Sequence, residues 1–174
     1  AATAKKLGLT KATISAIVQD LLNRKLIIEI GSDDTSLGRK PILISLNKKA
    51  GYVISIDLGV DTITALVSDL AGEDYSLKQI KTPSSKSLLI DALIQLIESM
   101  KRPENTPYGM VGITVGIHGV TIDNRVSFAP YYNLAGIDIS GELKQHFNTP
   151  VYLENEANLS VIGEKTFQYD YANI

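Results

Sequence analysis

The chain has 174 residues, 44% of them hydrophobic and 21% charged, with a formal net charge of −2. That apolar share excludes wholesale disorder, and the length admits one ordinary domain or a small domain beside part of a larger one. Cysteine is absent, which removes disulfide frameworks and thiolate metal sites from these residues and fits a cytoplasmic protein. The sequence shows neither a signal peptide nor an apolar run of membrane-spanning length, so no membrane partner is expected. Charge is unevenly spread. Residues 1–50 hold nine basic side chains against four acidic ones, a net +5, and the remainder carries −7. A basic head on an acidic body suits a head that meets phosphates, although a chance excess on a solvated surface has the same composition.

In chain order, Ala4, Leu7 and Leu9 read as the end of a helix, and Gly8 supplies the turn. Thr10 is a good N-cap for a second helix, in which Ile14, Ile17, Val18, Leu21 and Leu22 recur at helical spacing and predict one buried face. Lys11, Thr13, Ser15 and Gln19 are left for the outer face, as side chains that donate to phosphates or base edges from a major groove. Residues 26–30 and 41–46 read as two strands joined by a loop over 31–38, with Arg39 and Lys40 at the loop exit. There a wing would touch the DNA backbone or enter the minor groove. The pattern predicts a winged helix-turn-helix DNA-binding domain over residues 1–50, partial at its start, with operator DNA as partner. An amphipathic helical hairpin followed by a solvated turn would carry the same residues.

Lys48-Lys49-Ala50-Gly51 reads as a junction, with a second domain over residues 51–174. Strands are predicted over 52–56, 63–70 and 75–81, then a helix over 87–100 and a surface loop over 101–108. A glycine-spaced apolar strand over 110–117 reads as buried on both faces. A short extended segment over 126–129, a helix over 139–147, a strand over 151–153 and a helix over 155–165 follow. A meander that gives way to alternation predicts an α/β domain with a mixed sheet. His118 reads as a loop histidine and His146 as a solvent-exposed one on a polar helix face.

Specific motifs lie on this frame. Asp57-Leu58-Gly59 ends the first strand, Asp69-Leu70-Ala71-Gly72 closes its hairpin, and Gly112-Ile113-Thr114-Val115-Gly116-Ile117-His118-Gly119 ends the buried strand. Phe128-Ala129-Pro130 and Asn133-Leu134 follow, and Glu154-Asn155-Glu156-Ala157-Asn158 opens a helix that runs to Gly163-Glu164. In this order and spacing the set resembles the ROK family (repressors, open reading frames, kinases) of the actin/hexokinase-like fold. With the predicted head in front, it is similar to the family's repressor branch.

The resemblance implies a sugar-responsive repressor, working as a homodimer and released from DNA by a monosaccharide, xylose or another aldose. It implies that residues 51–174 are the first lobe of the actin-like domain. The second lobe and any zinc loop would lie beyond residue 174, so no cofactor or metal is expected within this chain. Asn133, Asn155 and Glu156 are the implied sugar contacts. The rival implication is an ATP-dependent ROK sugar kinase. In those kinases a turn of the form Asp-x-Gly-Gly-Thr lets backbone amides approach the ATP phosphates. Here Val60 and Asp61 add a β-branched side chain and a carboxylate at that turn, and both oppose nucleotide binding. The kinases' general-base Asp is matched by Glu156, longer by one methylene, a shift that catalysis tolerates poorly. Recognition without phosphorylation, and no catalytic residue, is therefore expected. Asn155 and Glu156 also suit plain helix capping. Two further positions depart from the family pattern: His118 stands at a usual proline, and Ile137 near a usual tryptophan. A lobe that has lost sugar binding and only dimerises is a third possibility.

Overall fold

The computed structural model describes residues 6–32, 42–131, 134 and 136–167, and the chain divides into two compact units, Ala1–Ala50 and Gly51–Ile174.

In the first unit, Gly8 takes a positive φ of 66° and turns the chain into helix α1 (Lys11–Asn23). The Thr10 hydroxyl accepts the Thr13 N–H at 3.2 Å and caps the helix. The Leu26 N–H closes the far end on the Leu21 carbonyl. Strands β1 (Ile27–Ser32) and β2 (Ile42–Leu46) pair antiparallel, with a register shift between Glu29 and Gly31. Helix α1 packs on β1. Its apolar face is less covered than the spacing predicts: Ile14, Val18, Leu21 and Leu22 are half-buried, and Ile17 is 44% exposed. The predicted wing residues Arg39 and Lys40 lie outside the described residues.

The second unit contains β3 (Tyr52–Leu58), β4 (Thr62–Asp69), β5 (Ser76–Lys81), α2 (Leu89–Glu98), β6 (Met110–Ile117), β7 (Val120–Ile122), β8 (Arg125–Phe128), α3 (Ile139–Phe147), β9 (Val151–Asn155) and α4 (Glu156–Phe167). Five strands form one mixed sheet in the order β5-β4-β3-β6-β9. The meander β3–β4–β5 is antiparallel, and β3, β6 and β9 are parallel. Period-2 patterning sets the faces: Tyr52, Ile54, Ile56 and Leu58 are buried while Ser55 and Asp57 are exposed. The core joins these residues to Ile113, Val115 and Ile117, to Leu93, Leu96 and Ile97 of α2, and to Ile139 and Leu143 of α3.

Two sequence expectations change here. Strand β6 is not buried on both faces along its length, since Val111 is 38% exposed. Its second face closes only near Gly116, where a Cβ would come within 3.2 Å of the Leu159 side chain of α4. The segment at 126–129 is half of a hairpin, β7–β8, turned by Asp123 and Asn124 with positive φ of 49° and 60°. Consecutive left-handed residues match the strand twist, and Asn and Asp tolerate that conformation better than other side chains.

Candidate functional site

Three strand ends converge. Asp57 is the penultimate residue of β3, His118 directly follows β6, and Glu156 opens α4 directly after β9. The parallel register places Asp57 beside Gly116, and Gly116 beside Glu154. In open α/β sheets this carboxyl end of the strands is where ligands bind. His118 Nε2 lies 3.8 Å from Asp57 Oδ1, and His118 Nδ1 abuts Glu156 Oε2. The histidine expected as a loop residue therefore lies between the two carboxylates. The three groups have donor atoms within 4.8 Å of one another.

Neighbouring side chains hold the cluster. Asn155 Oδ1 accepts the Ala157 and Asn158 N–H groups at 2.8 and 3.2 Å, and Asn155 Nδ2 donates to the Gly119 carbonyl at 2.6 Å. Among the described residues both acceptor lone pairs are occupied and one amide N–H has no partner. Glu154 Oε1 accepts from the Asn155 N–H at 2.7 Å, from Asn158 Nδ2 at 3.0 Å and from the Thr121 hydroxyl at 3.4 Å. The backbone N–H of Asn155, then the Asn158 amide, holds the Glu154 carboxyl below the usual carboxylate range. Gly119 is required at its position, because a Cβ there would collide with the Phe128 carbonyl. The Asn133 candidate lies outside the described residues.

At the β3–β4 turn a Cβ on Gly59 would meet the Thr62 carbonyl at 2.6 Å. Thr82 clamps the turn, donating its hydroxyl to the Gly59 carbonyl and its N–H to the Asp61 carbonyl, both at 2.9 Å. Val60 and Asp61 line an open depression of about 490 Å³ together with Lys81, Lys86, Tyr131 and Leu134. His146 is on the half-exposed surface of α3, 3.0 Å from Glu98.

On α1, Lys11, Thr13, Ser15 and Gln19 are all exposed. Lys11, Ser15 and Gln19 follow at i, i+4 and i+8 and share one face, whereas Thr13 lies roughly 200° round from Lys11 at about 100° per residue. The Thr13 hydroxyl is 2.9 Å from that of Thr10, within the cap, and Gln19 donates to Asn23 at 3.0 Å.

Sequence reasoning missed His118, Glu154 and Asn124. A titratable residue directly after a glycine-spaced strand was the available signal for His118. Nothing local announced the contacts of Glu154.

The mixed α/β sheet is similar to that of actin/hexokinase-like ROK proteins: residues 53–172 match the ROK family, and the chain belongs to it. Over 166 residues it is 38% identical to the xylose repressor of Bacillus spizizenii, covering 92% of this chain and 42% of that protein. A crystal structure of a ROK family transcriptional regulator, a homolog of the E. coli MLC protein, superposes with a TM-score of 0.70 at 22% identity. That match covers 94% of this chain and 43% of the regulator. A ROK family glucokinase from Streptomyces griseus, in complex with glucose and AMPPNP, matches at TM-score 0.57 and 27% identity over 67% of this chain and 37% of the kinase. The chain thus spans less than half the length of these relatives.

Proposed function

We propose that this chain forms part of a sugar-responsive transcriptional repressor. Residues 1–50 serve as a winged helix-turn-helix that binds operator DNA, and residues 51–174 as the first lobe of a ROK sugar-binding domain. The observation that carries this reading is the 38% identity to a xylose repressor across 92% of the chain, head included. Lys11 supports it further. It opens α1, whose first turn holds no acidic residue, and a cation at a helix N-terminus is unfavourable by about 0.3–1 kcal/mol until an anion arrives. Lys11, Ser15 and Gln19 face the groove, and Arg39 and Lys40 contact the backbone from the wing. A homodimer meets a palindromic operator in the cytoplasm. The effector is a monosaccharide, xylose first, which Asn133, Asn155 and Glu156 contact. It releases DNA because it prefers the state that does not bind DNA. Any zinc belongs to the remainder of the protein. The rival kinase reading is opposed by Val60 and Asp61 at the nucleotide turn, and by Glu156, longer by one methylene than the kinases' general-base Asp.

The test is fluorescence anisotropy of the full-length protein on its own promoter DNA, with and without xylose, over a salt series. Specific binding weakened by xylose is expected. Lys11→Ala should weaken binding evenly across sequences and reduce the salt slope by about 1. Sugar-dependent ATP consumption without specific DNA binding would replace the repressor with the kinase.

A further inference from the structure

We propose that Asp57, His118 and Glu156 form a site for a divalent cation of the manganese–iron kind, whose open coordination positions take hydroxyls of the effector. The second half rests on the reading of Glu156 as a sugar contact, and the first half does not. Three pieces of backbone far apart in sequence bring the donors together. Asp57 lies on β3, and its parallel partner on β6 is Gly116, which puts no side chain beside it. His118 comes two residues after Gly116, so period-2 alternation turns it to the same face. Glu156 opens α4 on that side of the sheet, where Leu159 of the same helix packs over Gly116. The turn that carries the ring is pinned. The Gly119 N–H donates to the Ile117 carbonyl at 2.9 Å, and Asn155 Nδ2 holds the Gly119 carbonyl.

One donor atom from each of the three side chains lies within 4.8 Å of the other two. A cation with bonds of about 2.0–2.4 Å holds ligands on opposite sides up to about 4.8 Å apart, so the spacing is that of donors around one ion. Charge points the same way. Among the described residues no lysine or arginine pairs with Asp57 or Glu156, and the side chain set between them is His118. Glu156 Oε2 is buried and accepts no hydrogen bond among the described residues. A buried carboxylate oxygen without a donor is costly, and a cation satisfies it. Glu154, the third acid at this end of the sheet, is committed to Asn155, Asn158 and Thr121 and stays outside the set. Two carboxylates and an imidazole, in a chain without cysteine, suit manganese or iron, whereas magnesium and calcium prefer oxygen alone. Three protein donors fill half of an octahedral shell. The Asp57 side chain is 59% exposed, so water or a sugar hydroxyl reaches the other half from solvent.

The experiment is titration of manganese(II) into the full-length protein, first dialysed against a weak chelator and followed by electron paramagnetic resonance. Manganese should bind with loss of the free-ion signal, and the spin echo of the bound ion should show coupling to an imidazole nitrogen. That wild-type coupling needs no variant, so it bears on the site even where a variant fails to fold. His118→Gln, which keeps most of the side chain's bulk, should abolish the coupling, and His146→Gln should keep it. Asp57→Asn should weaken manganese binding by at least about tenfold. Xylose should tighten manganese binding about tenfold, and manganese should tighten xylose binding by the same factor. Manganese that fails to bind, or binds without nitrogen coupling, overturns the cation site; xylose binding by calorimetry in that same protein would leave the effector reading standing. Coupling that survives His118→Gln places the cation elsewhere and overturns the site as well. Xylose that binds without changing manganese affinity overturns the effector half. Manganese bound as expected, with no monosaccharide binding beside it, sinks the effector reading and supports the cation site alone.

Discussion

At Asn155 a single side-chain amide joins three pieces of chain: its oxygen caps α4 through Ala157 and Asn158, and its nitrogen holds the turn at Gly119. Capping of α4 and the hold on the Gly119 turn are therefore one arrangement. Glu154 beside it carries a testable charge effect. Its carboxyl titrates below the ordinary value of 4.5 in the folded chain. The unfolded chain thus binds more protons just below that value, and stability rises with pH there. The contribution is complete above about pH 4.5 and is lost as the pH falls through the lowered folded value. Glu154→Gln should remove this acid-side dependence, read as a flatter plot of urea midpoint against pH below about 4.5. His118 marks the limit of residue-level legibility. Its type and its place after a strand were readable, but the convergence of three strand ends is a property of the parallel register, which no local spacing encodes.

Helix α2 and the meander were legible because their patterns are long: Leu89, Leu93, Leu96 and Ile97 recur at helical spacing and are all buried. The β7–β8 hairpin was not, because three- and four-residue strands are too short to show alternation. Its turn residue does the anchoring. Asn124 Nδ2 donates to the Val151 carbonyl at 2.8 Å, Asn124 Oδ1 accepts the Leu153 N–H at 2.7 Å, and its own carbonyl accepts the Ser140 hydroxyl at 2.9 Å. Asn124→Gly keeps the left-handed turn and loses only the side-chain bonds. It should cost about 1–3 kcal/mol, measured by chemical denaturation of the full-length protein. Asn124→Ala should cost more, since alanine also strains at a φ of 60°.

Across the molecule, burial is concentrated in one unit. The sheet strands β3, β4 and β6 supply Ile54, Ile63, Ile113 and Val115, all without solvent exposure, whereas no described residue of α1 is fully buried. Opening free energy follows buried apolar contact. Hydrogen exchange on the full-length protein should find the slowest amides in β3, β4 and β6, and faster ones in α1; equal protection in the two units would contradict this. The element order disclosed a mixed sheet, because a meander precedes alternating strands and helices. The placement of β3 at its centre was not disclosed, since that depends on the long crossovers from β3 to β6 and from β6 to β9.

The anchoring of Asn124 has a consequence for solubility. A five-stranded open sheet ends in two rows of unpaired backbone groups, each a template on which a second chain could polymerise. Along β5 the exposed Lys78 and Lys81 set charge against such an approach. Along β9 the Asn124 amide takes up the Val151 carbonyl and the Leu153 N–H, the groups an incoming strand would need. The β7–β8 hairpin thus covers the β9 edge, with Thr121 reaching Glu154 and Asn124 taking the backbone groups of Val151 and Leu153. Loss of Asn124 would expose those two groups to an incoming strand even where the fold survives.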